Sequence, residues 1–556
     1  LDSLPLGNLA FGGIPKTVRR KNALMNRQQK SVMAVVSSEN QPETSSPTIS
    51  ERPNEPGWLL AAVSVAMAAA SLLAGWIMPI NDDDAFYLHT WWLYAQGYVP
   101  YRDFLDGLPG LWLLLAPAAW LEWTPSSWIL FGRALVAGTF GLSFWLVGRL
   151  VRASRWESLL LAAMALVVMI RTEWFLFRRG SFETFFLVLH LWFLSRLPAT
   201  KRPVLLSGLA ACCVGMMCMT SQRGAFYLHV QPIILLWAFW GRWRDLLRAA
   251  AGWIAGGLLA ALPTIAYLSY HQLWADTWAW VVLFPREVGF TKATWLTMKT
   301  IWWIPIGLLG LAGTLYDTNL SKERKHFLVI VWLGILAATI LNWTPIHYTE
   351  MVFQLYTMAI LTVAARMGIE ALARAPWLRI TATSGLTAVG WMGAWWIIDK
   401  IAFPVPWSLA ARVHQQQIAV LDWLAQISAG EPVLAIDPYH PMLAPNATFL
   451  RGAWQYVYWP SKPMLRRCLT SFGPLVLEIH PPVIQANPWP GARHTNGADL
   501  VEWLYRHGIL SEQDAQAIRQ MLQEKYIEIR FPEIEWAPLP SGVRLAGETY
   551  PGYHYG

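Results

Sequence analysis

Charge is what this sequence has least of. Asp, Glu, Lys and Arg together make up 14% of its 556 residues, against about a quarter in a soluble domain. So few charges cannot cover the surfaces of three or four water-soluble domains, the number that length alone would suggest. Cysteine is also scarce, at four residues. Cys212, Cys213 and Cys218 share one apolar run and Cys468 stands alone, which excludes a disulfide scaffold and gives no ligand spacing for a metal. Glycine, at 39 residues, is far from the one in three of a collagen. What is abundant is apolar: hydrophobic residues reach 55% and the mean hydropathy is +0.33. That leaves a polytopic helical membrane protein. The 35 tryptophans suit belts at the membrane–water boundary and also surfaces that stack sugar rings. The formal net charge of +8 belongs with cytoplasmic loops and gives no argument for nucleic acid.

Residues 1–57 are polar and rich in Ser, Pro, Glu, Arg and Lys, with no apolar signal core. They read as a disordered cytoplasmic tail. The first spanning run is Trp58 to Ile80; basic residues before it put its start inside and its end outside. A polar loop follows, with an acidic part at 81–107 inside a first outer loop of 81–127. The short apolar piece 108–120 carries Pro109 and Pro117 and reads as an outer juxtamembrane segment. Later apolar runs fall near 128–150, 157–171, 182–196, 203–220, 225–240, 249–270, 297–316, 327–343, 348–365 and 380–403. Connections rich in Lys and Arg occur at every second position: VGRLVRASR, SRLPATKRP, GRWRDLLR, SKERKH and ARAPWLR. This alternation predicts about eleven spans over 58–403, with the N-terminus cytoplasmic and the C-terminus outside. After Pro404 no spanning run remains, and 404–556 reads as an extracytoplasmic soluble domain of α/β type. There ARVHQQQIAVLDWLAQI predicts an amphipathic helix and EPVLAIDP a buried strand.

Topology sorts the polar residues. The connections expected outside carry Arg178, Arg179, Arg223, Arg286 and Lys292, against the usual sorting of basic residues to the inside. Anion binding is a reason for such exceptions. Asp82, Asp83 and Asp84 directly follow the first span. Adjacent carboxylates repel, which raises at least one pKa. A carboxylate held at a membrane surface can take a proton from an attacking hydroxyl, or bind a divalent cation. The bland alternative is a solvated loop that ends the helix. No His, Cys, Asp or Glu spacing of a resident metal centre is present, so a divalent cation is the sole cofactor the sequence leaves open.

The stretch NDDDAFYLHTWWLYAQGYVPYRDFLDGLPGLWLLLAPAAWL resembles the first outer loop of the GT-C membrane glycosyltransferases. That group includes the protein O-mannosyltransferases and the lipid A aminoarabinose transferases. The matching positions are Asp83 and Asp84, Tyr87, Gly97 with Tyr101 and Asp103, and Pro109. Similar echoes are SFETFFLVLHLWFL, which maps an acidic residue onto Glu183; GMMCMTSQRGAFYLHVQPIILLW, with Arg223-Gly224 where Lys-Gly is frequent; and IHYTEMVFQLYTMAILTVAA, which maps His347 and Tyr348. The echoes cover roughly 58–365. The departures are Asp84 in place of Glu, Gly107-Leu108-Pro109-Gly110 in place of Lys-Pro-Pro, and Arg223 in place of Lys.

The resemblance implies a GT-C-like fold and an inverting glycosyltransferase acting on a sugar carried by a polyprenyl phosphate. Transfer would go to a hydroxyl of a lipid, polysaccharide or protein acceptor, at the outer face of a bacterial inner membrane. It implies Asp83 as general base, with Asp84 as its catalytic neighbour. Tyr87, Asp103, Asp106 and Glu183 would position acceptor or donor. Arg223, His347, Arg178 and Arg179 would meet the leaving phosphate, with Tyr348 and the aromatic loop residue Arg286 as further candidates. A structural ion network of Arg178 and Arg179 with Glu173 and Glu183 is the competing reading of those arginines. The competing function is a secondary transporter or flippase of lipid-linked or envelope precursors. It predicts matched halves with broken spans, and no internal repeat is visible.

Overall fold

The computed structural model describes residues 57–80, 82–121, 123–284, 303–318, 320–341, 350–373, 375–398 and 407–428, with parts of 431–526. The expected tail, apart from Gly57, lies outside the described residues. In chain order the helices are α1 (Trp58–Ile77), α2 (Asp82–Ala95), α3 (Gly110–Leu115, continued by a 3-10 turn at Ala116–Trp120), α4 (Pro125–Leu150), α5 (Arg155–Arg171), α6 (Arg179–Leu194), α7 (Pro203–Thr220), α8 (Val230–Ala238), α9 (Trp243–Tyr270), α10 (Trp274–Trp278), α11 (Trp303–Tyr316), α12 (Lys322–Leu341), α13 (Glu350–Leu372), α14 (Pro376–Ile397) and α15 (Trp407–Ser428). Then come β1 (Leu434–Ala435), α16 (Phe472–Ile479), β2 (Ile484–Gln485), α17 (Gly497–Arg506) and α18 (Glu512–Lys525).

Helix is the form a chain this apolar must take in lipid, because every backbone N–H and C=O needs an internal partner there. Among the described residues, five helices are long and apolar enough to cross a membrane: Trp58–Ile77, Pro125–Leu150, Pro203–Thr220, Trp243–Tyr270 and Phe353–Leu372. The chain is therefore a polytopic helical membrane protein. The other expected spans also fall on helices, but shorter or more polar ones. The run expected at 225–240 is broken into a 3-10 turn at Gln222–Tyr227 and the nine-residue α8. The break follows from the tight fold-back at Gly224, where a Cβ would strike the backbone of Met217 and Cys218.

Local sequence sets the boundaries. Helix α4 starts at a Thr124/Ser127 capping box with Pro125 in the first turn, which satisfies N–H groups the helix cannot. Helix α5 starts where the Glu157 carboxylate accepts from Ser154 N–H at 2.5 Å. Helices α7 and α9 pack backbone to backbone. A Cβ at Gly252 would collide with the Val204 carbonyl, and one at Gly256 with that of Gly208. Small residues at such a contact let two helices approach closely where lipid supplies no hydrophobic drive.

The aromatic core lies where α2, α3 and α4 meet. Trp91, Trp112, Trp128 and Phe177 are fully buried, with ring centroids of Trp91 and Trp128 4.1 Å apart. Two indoles are anchored by backbone carbonyls: Trp91 donates to Leu115 O at 2.7 Å and Trp128 to Leu88 O at 3.1 Å. The short piece 108–120 thus folds as α3 plus a turn beside α2. Its first residue packs so closely that a Cβ at Gly110 would meet Met219 of α7 and Thr264 of α9.

After Pro404 the expected amphipathic helix is found as α15, whose buried residues Ala410, His414, Gln417 and Leu421 recur at helical spacing. That spacing makes one face, which lies against α1 and α4. The expected strand contributes β1, which pairs in parallel with β2, Leu434 opposite Ile484. In the described residues beyond them, α16, α17 and α18 pack together.

Candidate active site

Helix α1 stops when the chain turns extended at Met78. Helix α2 begins at Asp82, so the three aspartates are its first three residues. Free N–H groups and the helix dipole favour negative charge there. The backbone of Asp82 and Asp83 belongs to α2; their side chains lie outside the described residues.

Asp84 is fully buried. Its Oδ2 accepts from Arg133 Nε at 2.8 Å and from a second guanidinium nitrogen. Its Oδ1 accepts from Phe177 N–H at 2.8 Å. Arg133 also donates to the carbonyls of Gly75, Met78 (2.9 Å) and Pro79 (3.1 Å). Asp84, expected as a second catalytic carboxylate, is thus committed to holding the α1–α2 turn, α4 and the segment before α6 together. A carboxylate fully buried with both oxygens already accepting hydrogen bonds is not open to an acceptor hydroxyl.

Helix α15 adds a second tie to this turn. Gln417 accepts from Ile80 N–H at 2.7 Å and donates back to Ile80 O at 3.3 Å. One turn earlier on α15, burial and then the nearby Arg133 charge hold the His414 imidazole down to about 3. It stays neutral at physiological pH. Asp422 accepts from Ser126 N–H at 3.4 Å at the start of α4. The backbone that leads into the aspartates is therefore held from α4 by Arg133 and from α15 by Gln417.

The loop from α2 to α3 is closed by its own polar groups. Asp103, exposed, accepts from Val99 N–H at 2.7 Å and contacts Arg102 at 3.4 Å. Asp106 is buried; it accepts from Tyr94 Oη at 3.1 Å and pairs with Arg179. Tyr101 donates to Gly107 O. Burial, then Asp106, pushes both the Tyr94 and Tyr101 phenols upward, so both stay protonated donors. Tyr101 holds a positive φ of 64°, a conformation L-residues rarely adopt.

The Arg179 guanidinium lies 5.5 Å from the Tyr87 ring centroid and 5.1 Å from that of Trp112. The two rings stack at 6.0 Å. Arg179 and Glu183 are one turn apart on α6, on one face. Glu183, buried, shares a hydrogen bond with Ser221 and lies in the field of Arg223 and Arg179. Ser221 Oγ also accepts from Arg223 N–H at 3.4 Å. The neighbouring Arg178 is buried and paired with Glu173, as the ion-network reading expected.

Tyr87, Asp106, Arg179, Glu183 and Arg223 are thus drawn together at one end of the bundle. Asp84 and Arg178 are spent on ion pairs, and Asp103 on its own loop. His347, Tyr348 and Arg286 lie outside the described residues. Among the described residues no group of three His, Cys, Asp or Glu side chains forms a metal-binding cluster, and the Asp82 and Asp83 carboxylates fall outside that statement. Sequence reasoning missed Arg133 and Gln417. The signal for Arg133 was present: it is the sole charged residue between Trp128 and Gly148, and a lone ionisable group inside a spanning run asks for a partner.

The arrangement offers a half-buried guanidinium, Arg223, whose charge acts on the buried Glu183 carboxylate. The Arg179 guanidinium, whose charge also reaches Glu183, packs on the rings of Tyr87 and Trp112. Among solved structures, the chain is similar to the crystal structure of ArnT from Cupriavidus metallidurans bound to undecaprenyl phosphate. The TM-score is 0.44 and the identity 14%, over 66% of this chain and 72% of that one. No protein-family profile and no curated protein matches the chain.

Proposed function

We propose that the chain is a membrane glycosyltransferase of GT-C type, moving a sugar from a polyprenyl phosphate to a hydroxyl acceptor at the outer membrane surface. The reading takes the apolar runs as spans, the one at 225–240 being interrupted by its 3-10 turn, with the N-terminus as cytoplasmic and the 404–556 domain as extracytoplasmic, in a bacterial plasma membrane. The observation that carries it is the position of Asp83. It is the second residue of a helix that starts directly after a spanning helix, next to a carboxylate locked on Arg133 and behind a turn tied by Gln417.

In the reaction, the acceptor hydroxyl gives its proton to Asp83 while its oxygen attacks the anomeric carbon. The bond from that carbon to the phosphate oxygen breaks, polyprenyl phosphate leaves, and configuration inverts. Arg223 meets the phosphate with a planar fork, in the field of the buried Glu183 carboxylate. His347 and Arg286 are the further cations of this reading, and a divalent cation is the alternative partner of the phosphate. Tyr87, half-buried and backed by the buried Trp112, offers a ring for the sugar. The sugar and the acceptor class are left to experiment.

The test has two arms. Mass spectrometry of envelope glycans with and without the protein must show a missing sugar. In membranes supplied with labelled polyprenyl-phosphate sugar, Arg223→Gln should raise the donor KM at least about tenfold, as expected for losing a charge-assisted contact, with Arg223→Lys intermediate. Unchanged glycans, or unchanged KM in Arg223→Gln, would remove the proposal's donor site.

A further inference from the structure

Arg149 follows Arg133 along α4 by more than four turns, about 24 Å, and so marks the opposite end of the bundle from the aspartates. Four arginines from three helix ends meet there. Arg149 and Arg152 close α4, Arg196 follows α6, and Arg324 stands in the first turn of α12. Arg324 reaches across to α4, donating through Nε to Leu150 O at 2.9 Å and through Nη2 to Arg149 O at 2.8 Å. The charges of Arg152, Arg196 and Arg149 all fall on it, and those of Arg149 and Arg152 fall on Arg196.

Arg149 and Arg324 are half-buried and Arg152 and Arg196 exposed, whereas the buried arginines among the described residues are each answered by an acid. Arg133 has Asp84, Arg178 has Glu173, Arg179 has Asp106, and Arg366 has both Glu157 and Asp317. Among the described residues, no carboxylate forms an ion pair with Arg149, Arg152, Arg196 or Arg324. Of the acids at this end, Glu157 and Asp317 are held by Arg366 and Asp245 by Arg248; Glu323, next to Arg324 in sequence, is exposed and forms no ion pair with the four. Four like charges gathered without a counter-charge are unfavourable unless an anion joins them.

The backbone reinforces the point. Ala153 N–H bonds Gly148 O at 2.9 Å and Arg152 N–H bonds Arg149 O at 3.4 Å, the turn that ends helices on a left-handed residue. Glycine usually takes that position, yet here Arg152 holds it at φ 52°. The rim is aromatic. The Arg196 guanidinium lies 4.3 Å from the Trp192 ring, Trp145 is 6.0 Å from Trp192, and Trp58 is 62% exposed beside Gly57. A Cβ on Gly57 would come within 3.3 Å of Arg149 Nη1.

We infer that Arg149, Arg152, Arg196 and Arg324 form a site for the phosphate of an anionic phospholipid headgroup, in the leaflet opposite the aspartate end. Guanidinium forks suit phosphate oxygens, and basic pockets between spanning helices are suited to anionic headgroups. The tryptophan rim favours a lipid over a free anion, since acyl chains can lie along it.

The test uses the purified full-length chain in uncharged detergent. Its melting is followed on titration with phosphatidylglycerol, phosphatidylcholine or inorganic phosphate. Phosphatidylglycerol should raise the melting temperature saturably, while the other two leave it near its starting value. A double variant, Arg152→Gly with Arg196→Gln, should melt no lower than the parent without lipid, because glycine suits the left-handed turn. Its apparent affinity for phosphatidylglycerol should nevertheless fall about thirtyfold. A control pair on another exposed basic stretch, Arg244→Gln with Arg248→Gln, should keep the parent's response. Equal shifts with phosphatidylcholine, an undiminished response in the first pair, or an equal loss in the control pair would overturn the site. An equal shift with inorganic phosphate would overturn its assignment to a lipid.

Discussion

The guanidinium of Arg133 meets three backbone carbonyls and one carboxylate in a place without water. Removing either partner of a buried pair leaves the other charge unanswered, which costs about 3–5 kcal/mol. Arg133→Leu and Asp84→Asn should each lower the melting temperature of the purified protein strongly. The double variant should lose less than the sum, because neither charge is then orphaned. Additive losses would mean the pair is not coupled. The aspartate triplet was visible in the sequence as a unit. Its division was not, because adjacent carboxylates look alike until a partner nearly fifty positions away selects one of them. The same holds for Asp106: nothing near it in sequence announces Arg179, and the loop's path alone brings them together.

Helix α15 shows how an element beyond the last apolar run ties down the turn before the aspartates. Its amphipathic spacing was legible, so its existence and its buried face could be read from period alone. What it docks against could not, because the partner is the backbone of Ile80, and a backbone group leaves no trace in sequence. Gln417→Leu removes both hydrogen bonds to Ile80. Hydrogen–deuterium exchange should then speed at the Ile80 amide, with the α7–α9 contact unchanged, and sugar transfer should fall about tenfold through kcat, the scale of losing a supporting contact to a reactive group. Faster exchange without loss of transfer would make the strut purely structural.

His414, on the same face, gives a pH dependence. Its folded value, about 3, lies below the roughly 6.5 of an unfolded histidine. Between those values the unfolded chain binds a proton that the folded chain refuses. Stability from this group is therefore present above about pH 6.5 and is lost as pH falls toward 3. Melting temperature should drop over that window, and the drop should be shallower in His414→Gln. An identical profile in the variant would contradict the assignment.

At the scale of the whole molecule, the membrane class was legible from composition because lipid imposes helix and apolar surface on everything it touches. Among the described residues the apolar runs marked where helices fall, except at 225–240, where the close approach of Gly224 to α7 breaks the run. The architecture of the aspartate end was less legible. It is built by side chains reaching across elements: Trp91 to Leu115, Trp128 to Leu88 and Arg133 to the α1–α2 turn. Such links depend on how the bundle closes and have no fixed spacing.

The close contact of α7 and α9 tests this closure. Gly256→Leu would place a side chain against the Gly208 backbone. It should destabilise the protein by about 1–3 kcal/mol through overpacking, read as a lower melting temperature in detergent, and an unchanged melting temperature would contradict the backbone contact.

The account as a whole turns on one carboxylate. The decisive measurement is the rate of transfer from labelled polyprenyl-phosphate sugar by purified full-length protein carrying Asp83→Asn. The protein must first be shown to melt like the parent. Loss of at least a hundredfold in rate, the scale of removing a general base, with donor affinity retained is the predicted result. A folded Asp83→Asn protein that transfers sugar at the parent's rate would contradict it.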